Sequence, residues 1–131
     1  MKRILLDTSA YLAFRKGHRE AGYSIDEAGE VYLNVIVLGE LFDAFLHGSR
    51  REENRAELDR FIASPRVQIL EIDEITAERY AIISDTLQRA GTPITPNDLW
   101  IAASALQHGL EILTFDSDFT RVPQVVTRLL S

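Results

Sequence analysis

The sequence predicts an α/β fold, a parallel sheet with helices on both faces, and three observations carry the prediction. Short apolar runs of strand length recur near residues 4–6, 31–33, 67–72 and 111–114. Stretches long enough for helices lie between them. Cap and stop residues, Asn34, Gly91, Thr95-Pro96 and Gly109 among them, mark where those helices begin and end. Strands alternating with helices of this length connect by right-handed crossovers, and those connections make a parallel sheet.

The elements follow in order. Residues 4–6 read as a buried strand, and Asp7-Thr8-Ser9 supplies helix N-cap chemistry. Residues 10–16 form a short helix that Gly17-His18 ends. Residues 18–30, polar and Gly-containing, read as a loop or a broken helix. Residues 31–33 form the second strand, with Asn34 capping a long helix to about His47. Gly48-Ser49 turns the chain, and residues 50–64 form a helix stopped by Pro65. Residues 67–72 alternate as a strand, and residues 76–90 form an amphipathic helix closed by Gly91 and Pro93. Thr95-Pro96-Asn97-Asp98 starts a helix strongly, with Thr as cap, Pro at the first position and an acid at the third. It runs to His108 and stops at Gly109. A strand at 111–114, a turn at 116–118 and a last short strand at 122–126 complete the chain.

The chain of 131 residues is about one domain's worth and holds no repeat or linker, so one domain is expected over residues 1–131. Its 46% hydrophobic and 26% charged residues suit a folded protein and exclude a disordered tail. No apolar run approaches the ~18–20 residues a bilayer needs, and Asp7 breaks the first one, so a cytoplasmic protein is expected. With no Cys, disulfides, thiolate zinc sites and cysteine nucleophiles are excluded together. His18, His47 and His108 share no ligand spacing and read as surface or cap residues. Fourteen basic residues against 20 acidic ones give a net charge of −6, which by itself speaks against phosphate binding. Carboxylates gathered around a metal would leave the remaining surface less acidic.

Four acids fit such a gathering. Asp7 follows the first strand and Asp116 follows the strand at 111–114, so both sit at strand carboxyl ends, the edge where open α/β sheets bind ligands. Asp98 lies in the first turn of a helix that begins at that edge. Glu40 shares a helical stripe with Ile36, Val37 and Ala44 and has no Lys or Arg within a turn, an expensive place for an unpaired carboxylate. Two carboxylates ~4 Å apart repel by about 4 kcal/mol at an effective dielectric near 20. Four together require a counter-charge. Oxygen ligands alone select a hard cation, Mg²⁺ or Mn²⁺, and such a cation supports phosphodiester hydrolysis by activating water. Each acid also has a plainer role open to it. Asp7 and Asp98 are candidate helix caps, and Asp116 and Asp118 are candidate turn acids.

The motifs LLDTSAYLA, a lone Glu in an early helix, NDLWIAASAL and ILTFDSDF, in that order, resemble the PIN-domain ribonucleases, in particular the VapC-type toxins of toxin–antitoxin pairs. The resemblance covers the whole chain. It implies a three-layer α/β/α sandwich with a central parallel sheet, a divalent-metal site, RNA as substrate and an antitoxin as partner. By position, Asp7, Glu40, Asp98 and Asp116 match the family's acidic quartet, with Asp118 competing for the fourth place. Ser9 and Thr114 match its supporting small polar residues.

Two surfaces bear on partners. The helix from Ile36 to Leu46 is apolar around most of its circumference, with Phe42, Phe45 and Leu46 among its residues. It either packs between the sheet and the helix of 50–64 or meets another chain. Arg50, Arg51, Arg55 and Arg60, with Arg15, Lys16 and Arg19, read as a phosphate-contacting rim. The plainer reading is a solvated face paired with Glu52, Glu53, Glu57 and Asp59, a pairing most expected for Arg60 and less for Arg50 and Arg51. A homodimer would join two such rims into one groove. Trp100 reads as a packing residue. A receiver domain would need paired acids near the first strand and a late Lys, and a dehalogenase-type phosphatase would need D-x-D there. Neither is present. The remaining alternative is a catalytically silent PIN-like module that binds protein or RNA.

Overall fold

Ile4, Leu5 and Leu6 are 1%, 0% and 0% exposed. Neighbouring strand residues face opposite sides of a sheet, so a fully buried run means that both sides are covered. The computed structural model, which describes residues 1–131, has that arrangement. The elements in chain order are β1 (Arg3–Leu6), α1 (Thr8–Arg15), α2 (Arg19–Glu27), β2 (Glu30–Asn34), α3 (Val35–His47), α4 (Arg51–Ile62) and β3 (Val67–Leu70). There follow α5 (Glu74–Ala90), α6 (Pro96–His108), β4 (Glu111–Thr114), a 3-10 turn at Ser117–Arg121 and β5 (Thr127–Leu129). All strand pairs are parallel, in the order β3-β2-β1-β4-β5.

That order sets the position of the site. The chain steps outward from β1 to β2 to β3, then crosses back through α5 and α6 to enter β4 on the far side of β1. The direction of winding therefore reverses between β1 and β4, and the crevice beyond the carboxyl ends of two such strands is where α/β sheets take ligands. Leu6 pairs with Leu113, so Asp7 and Thr114 emerge side by side at that crevice.

Small residues bring α6 close to the sheet. Ala102, Ala103, Ser104 and Ala105 are all buried, and Asn34 Nδ2 donates to Ser104 Oγ at 3.0 Å while its Oδ1 caps α3 at Val37 N. Trp100 is half-buried against Tyr80, ring centroids 4.3 Å apart. In α3 the inward stripe is Val37, Leu41 and Phe45; Leu46 stays 57% exposed, and Arg55 of α4 lies over the half-buried Phe42 ring at 4.3 Å. The helix is thus covered by α4 along part of its length and open at its end.

Several boundaries differ from the sequence reading. Residues 19–27 are a regular helix, not a loop or broken helix: His18 Nδ1 caps it at Ala21 N, and Ala21, Ser24 and Ile25 are buried on one face. That burial offsets the ~1 kcal/mol helix penalty of Gly22. The Arg66 guanidinium donates to the carbonyls of Ile25 and Ala28 and closes its end. Helix α5 starts at Glu74 because Asp73 and Thr76 form a reciprocal capping box. The last strand is Thr127–Leu129 rather than 122–126. Pro123 lacks a donor, the 3-10 turn takes up more chain, and the register places Thr127 beside Ile112.

Candidate active site

Asp7 is 5% exposed and accepts three hydrogen bonds. Ala10 N donates to its Oδ1 at 2.9 Å, Ser9 Oγ to the same oxygen at 2.7 Å, and Thr114 Oγ1 to Oδ2 at 2.5 Å. It is a helix cap and an edge acid at once, so the two sequence readings are not exclusive. Burial pushes its carboxyl above the usual range, its three donors oppose that, and the charge of Asp116 adds to it.

Ser9 and Thr114 join both sides of the crevice. Ser9 Oγ accepts from Phe115 N at 3.1 Å, and Thr114 Oγ1 accepts from Asp116 N at 2.9 Å. Asp116 in turn caps the 3-10 turn, its Oδ1 accepting from Asp118 N at 2.8 Å. Across the crevice Thr95 caps α6 and holds Asp98 N at 3.3 Å, presenting the half-buried Asp98 carboxylate from the first turn. Burial, joined by the charges of Asp116, Glu40 and Asp7, pushes its carboxyl up to about 6 against the Thr95 hydrogen bond. The three other acids singled out in the sequence therefore all act on Asp98.

The carboxylate oxygens of Asp98, Asp116 and Asp118 lie within 4.8 Å of one another. Ionised carboxylates at that separation repel one another, the more so the less water stands between them. Arg121 partly offsets Asp118, at 3.3 Å from its Oδ1. No cation pairs with Asp7, Asp98 or Asp116.

Glu40 is placed differently from the sequence reading. The buried stripe of α3 runs through Val37 and Leu41, while Ala44 is exposed, so Glu40 stands at the rim rather than among aliphatics. Thr8 Oγ1 donates to its Oε1 at 2.5 Å and Asn97 Nδ2 to its Oε2 at 3.3 Å. Neither partner was singled out from the sequence. Their signal is adjacency, since Thr8 follows Asp7 and Asn97 precedes Asp98.

The basic residues are also redistributed. Arg50 pairs with Glu53 at 2.5 Å, and Arg15 pairs with Glu57 at 3.4 Å. Arg60, the one most expected to be neutralised, makes no ion pair, because Asp59 is taken by Arg55 at 3.1 Å. Arg51 is exposed and reaches only the Leu46 carbonyl, at 3.5 Å.

Known proteins resemble the chain in sequence and in fold. The family model "PIN domain" matches residues 4–125. The chain belongs to the PIN-domain family. Ribonuclease VapC4 of Mycobacterium tuberculosis is 34% identical over 129 residues, 95% of each chain. Among solved structures, VapBC2 of Rickettsia felis bound to a DNA fragment from its promoter superposes with a TM-score of 0.84 at 22% identity, over 98% of each chain. DNA-bound VapBC of Salmonella typhimurium gives 0.81 at 26% identity, also over 98% of each. Within the PIN family the chain is of the VapC type, and its parallel α/β/α architecture is that of these structures. No helix is long and apolar enough to cross a membrane.

Proposed function

We propose that this PIN domain is a divalent-metal-dependent endoribonuclease, the toxin of a toxin–antitoxin pair acting in the cytoplasm. The observation that carries the reading is the gathering of the Asp98, Asp116 and Asp118 carboxylate oxygens within 4.8 Å of one another, where burial and then the charges of Asp116, Glu40 and Asp7 push the Asp98 carboxyl up to about 6. Carboxylates held together by their own capping and hydrogen-bond networks, with no cation among them, suit a hard ion. An all-oxygen donor set fits Mg²⁺ or Mn²⁺, and Asp7, Asp98, Asp116 and Glu40 would hold it. Asp116 is favoured over Asp118 for the fourth place, because its charge reaches both Asp7 and Asp98 while Asp118 is paired with Arg121.

Such an ion supplies Lewis acidity, lowering the pKa of a water and stabilising charge on a phosphoryl oxygen. The protein's own part is placement. Ser9 and Thr114 fix the Asp7 carboxylate, Thr8 and Asn97 fix Glu40, and Thr95 fixes the turn bearing Asp98. Arg15, Arg50 and Arg51 are the candidates for contacting RNA phosphates, and a homodimer would bring two such sets together.

The antitoxin is expected on the open end of α3. Phe42, Phe45 and Leu46 line a groove of ≈ 550 Å³ with Arg51, Arg55 and Asp59 of α4 at its edge. An apolar floor with a charged rim is the usual composition of a protein interface. A solved structure from Mycobacterium tuberculosis, 27% identical, is a member of the VapBC family of toxin–antitoxin systems, which supports a partner here.

The test is cleavage of single-stranded RNA by the purified chain. Cutting is expected with Mg²⁺ or Mn²⁺ and none with excess EDTA, and Asp116→Asn should abolish it. Undiminished cleavage in EDTA, or a protein inert towards every RNA tried, would overturn the reading.

A further inference from the structure

A second cleft, of ≈ 380 Å³, lies between α1, α3 and α4. Tyr11 lines it. Its side chain is 1% exposed, yet its hydroxyl has no hydrogen-bond partner. A buried hydroxyl without a partner costs free energy, and a ligand that supplies an acceptor there would remove that cost. Around it stand Arg15, Lys16 and Arg50 against Glu57, and Glu53 pairs with Arg50 at 2.5 Å from outside the cleft, which leaves a surplus of one positive charge in a chain of net charge −6. Glu57 is shared between Arg15 at 3.4 Å and Arg50 at 4.0 Å, and Lys16 has no ion pair. Burial raises the Tyr11 hydroxyl to about 12, which keeps it a proton donor at every working pH.

We propose that this cleft binds a backbone phosphate of the RNA, adjacent to the one that is cut. Tyr11 donates its hydroxyl, while Arg15 and Lys16 supply charge; the assignment rests on the nuclease reading above. The cleft continues the acidic site along two elements at once. On α1, Asp7 caps the helix, and Tyr11 and Arg15 follow at one and two turns, within ~12 Å. On α3, Glu40 faces the site and Ala44 lines the cleft one turn further. A strand with one phosphate at the carboxylates therefore has a neighbouring phosphate here. A carboxylate from a partner protein would also satisfy the donors, but it would not need this continuity.

The experiment is fluorescence anisotropy with a short labelled single-stranded RNA in EDTA, for the full chain, Tyr11→Phe and Lys16→Gln, with thermal melting of each. Tyr11→Phe should melt at the same or a higher temperature and bind RNA about tenfold more weakly, the loss of one hydrogen bond to a charged group. Lys16→Gln should reduce the slope of log affinity against log salt by about 0.7, the value for one phosphate on a single strand. A lower melting temperature for Tyr11→Phe with unchanged RNA affinity would mean that water inside the fold satisfies the hydroxyl, and would overturn the assignment. Unchanged RNA affinity in both variants with a weakened antitoxin complex would give the cleft to a protein carboxylate and overturn it as well. Those outcomes leave the nuclease reading standing, and so does failure of the unsubstituted chain to bind RNA in EDTA, which would overturn the phosphate assignment alone.

Discussion

Thr114 donates its hydroxyl to Asp7 Oδ2 at 2.5 Å and accepts from Asp116 N at 2.9 Å. One buried side chain thus joins the acid after β1 to the loop that carries the acid after β4. It spans the crevice where the winding of the sheet reverses, and it does so with no charge of its own.

Thr114→Val keeps the shape and removes the hydroxyl. It leaves a 5% exposed carboxylate without one of its three donors, so a loss of about 1–3 kcal/mol is expected from urea unfolding in EDTA. RNA cleavage should fall more than stability explains, because Asp7 loses its orientation. Thr114→Ser should restore most of both.

Asp7→Asn separates a metal ligand from a cap. Asn caps a helix well, and burial raises the Asp7 carboxyl, so ionised Asp7 costs stability at neutral pH. The variant should melt at the same or a higher temperature in EDTA. Mn²⁺ at a hundredfold excess over its dissociation constant should stabilise the unsubstituted protein by about 2.7 kcal/mol and the variant by much less. Thermal melting at pH 7.5 with EDTA and with Mn²⁺ reads both.

Asp98 predicts a pH dependence. Its folded value, about 6, lies above the ordinary 3.8, so the folded state binds the proton more tightly than the unfolded chain does. Its favourable contribution is full below about pH 3.8 and disappears as pH rises through 6. In EDTA, the stability difference between the unsubstituted chain and Asp98→Asn should therefore grow in the variant's favour from pH 4 to pH 7, with the change centred between those two values. A difference that stays flat over this range would mean that neither burial nor the neighbouring acids raise the Asp98 carboxyl.

Leu46→Asp tests the partner surface. Leu46 is 57% exposed, so the substitution should leave the fold and RNA cleavage unaltered. Loss of an apolar anchor should weaken the complex with the co-expressed antitoxin about tenfold or more, measured by titration calorimetry.

Much of this site was legible because its residues are also local structure signals. Asn34 and Thr95-Pro96 are caps that define where helices start, and the acids stand at fixed offsets from those starts. Asp7 at the end of an apolar run is of the same kind. What could not be read was tertiary. The phase of α3 depends on which residues the sheet covers, and so Glu40 moved from an aliphatic face to a polar rim beside Thr8 and Asn97. The pairing of the arginines depended on which acid reaches which neighbour across α1 and α4, as with Arg15 and Glu57. Helix α2 was hidden because its stability comes from burial of Ala21 and Ile25 rather than from propensity.

The central claim is that the carboxylates of Asp7, Glu40, Asp98 and Asp116 form one divalent-cation site. Calorimetric titration of Mn²⁺ into the purified chain and into Asp98→Asn at pH 7.5, without RNA, tests it most directly. Saturable binding by the unsubstituted protein, weakened at least tenfold in the variant, is the predicted result. Equal binding by the two proteins, or none by either, would contradict it.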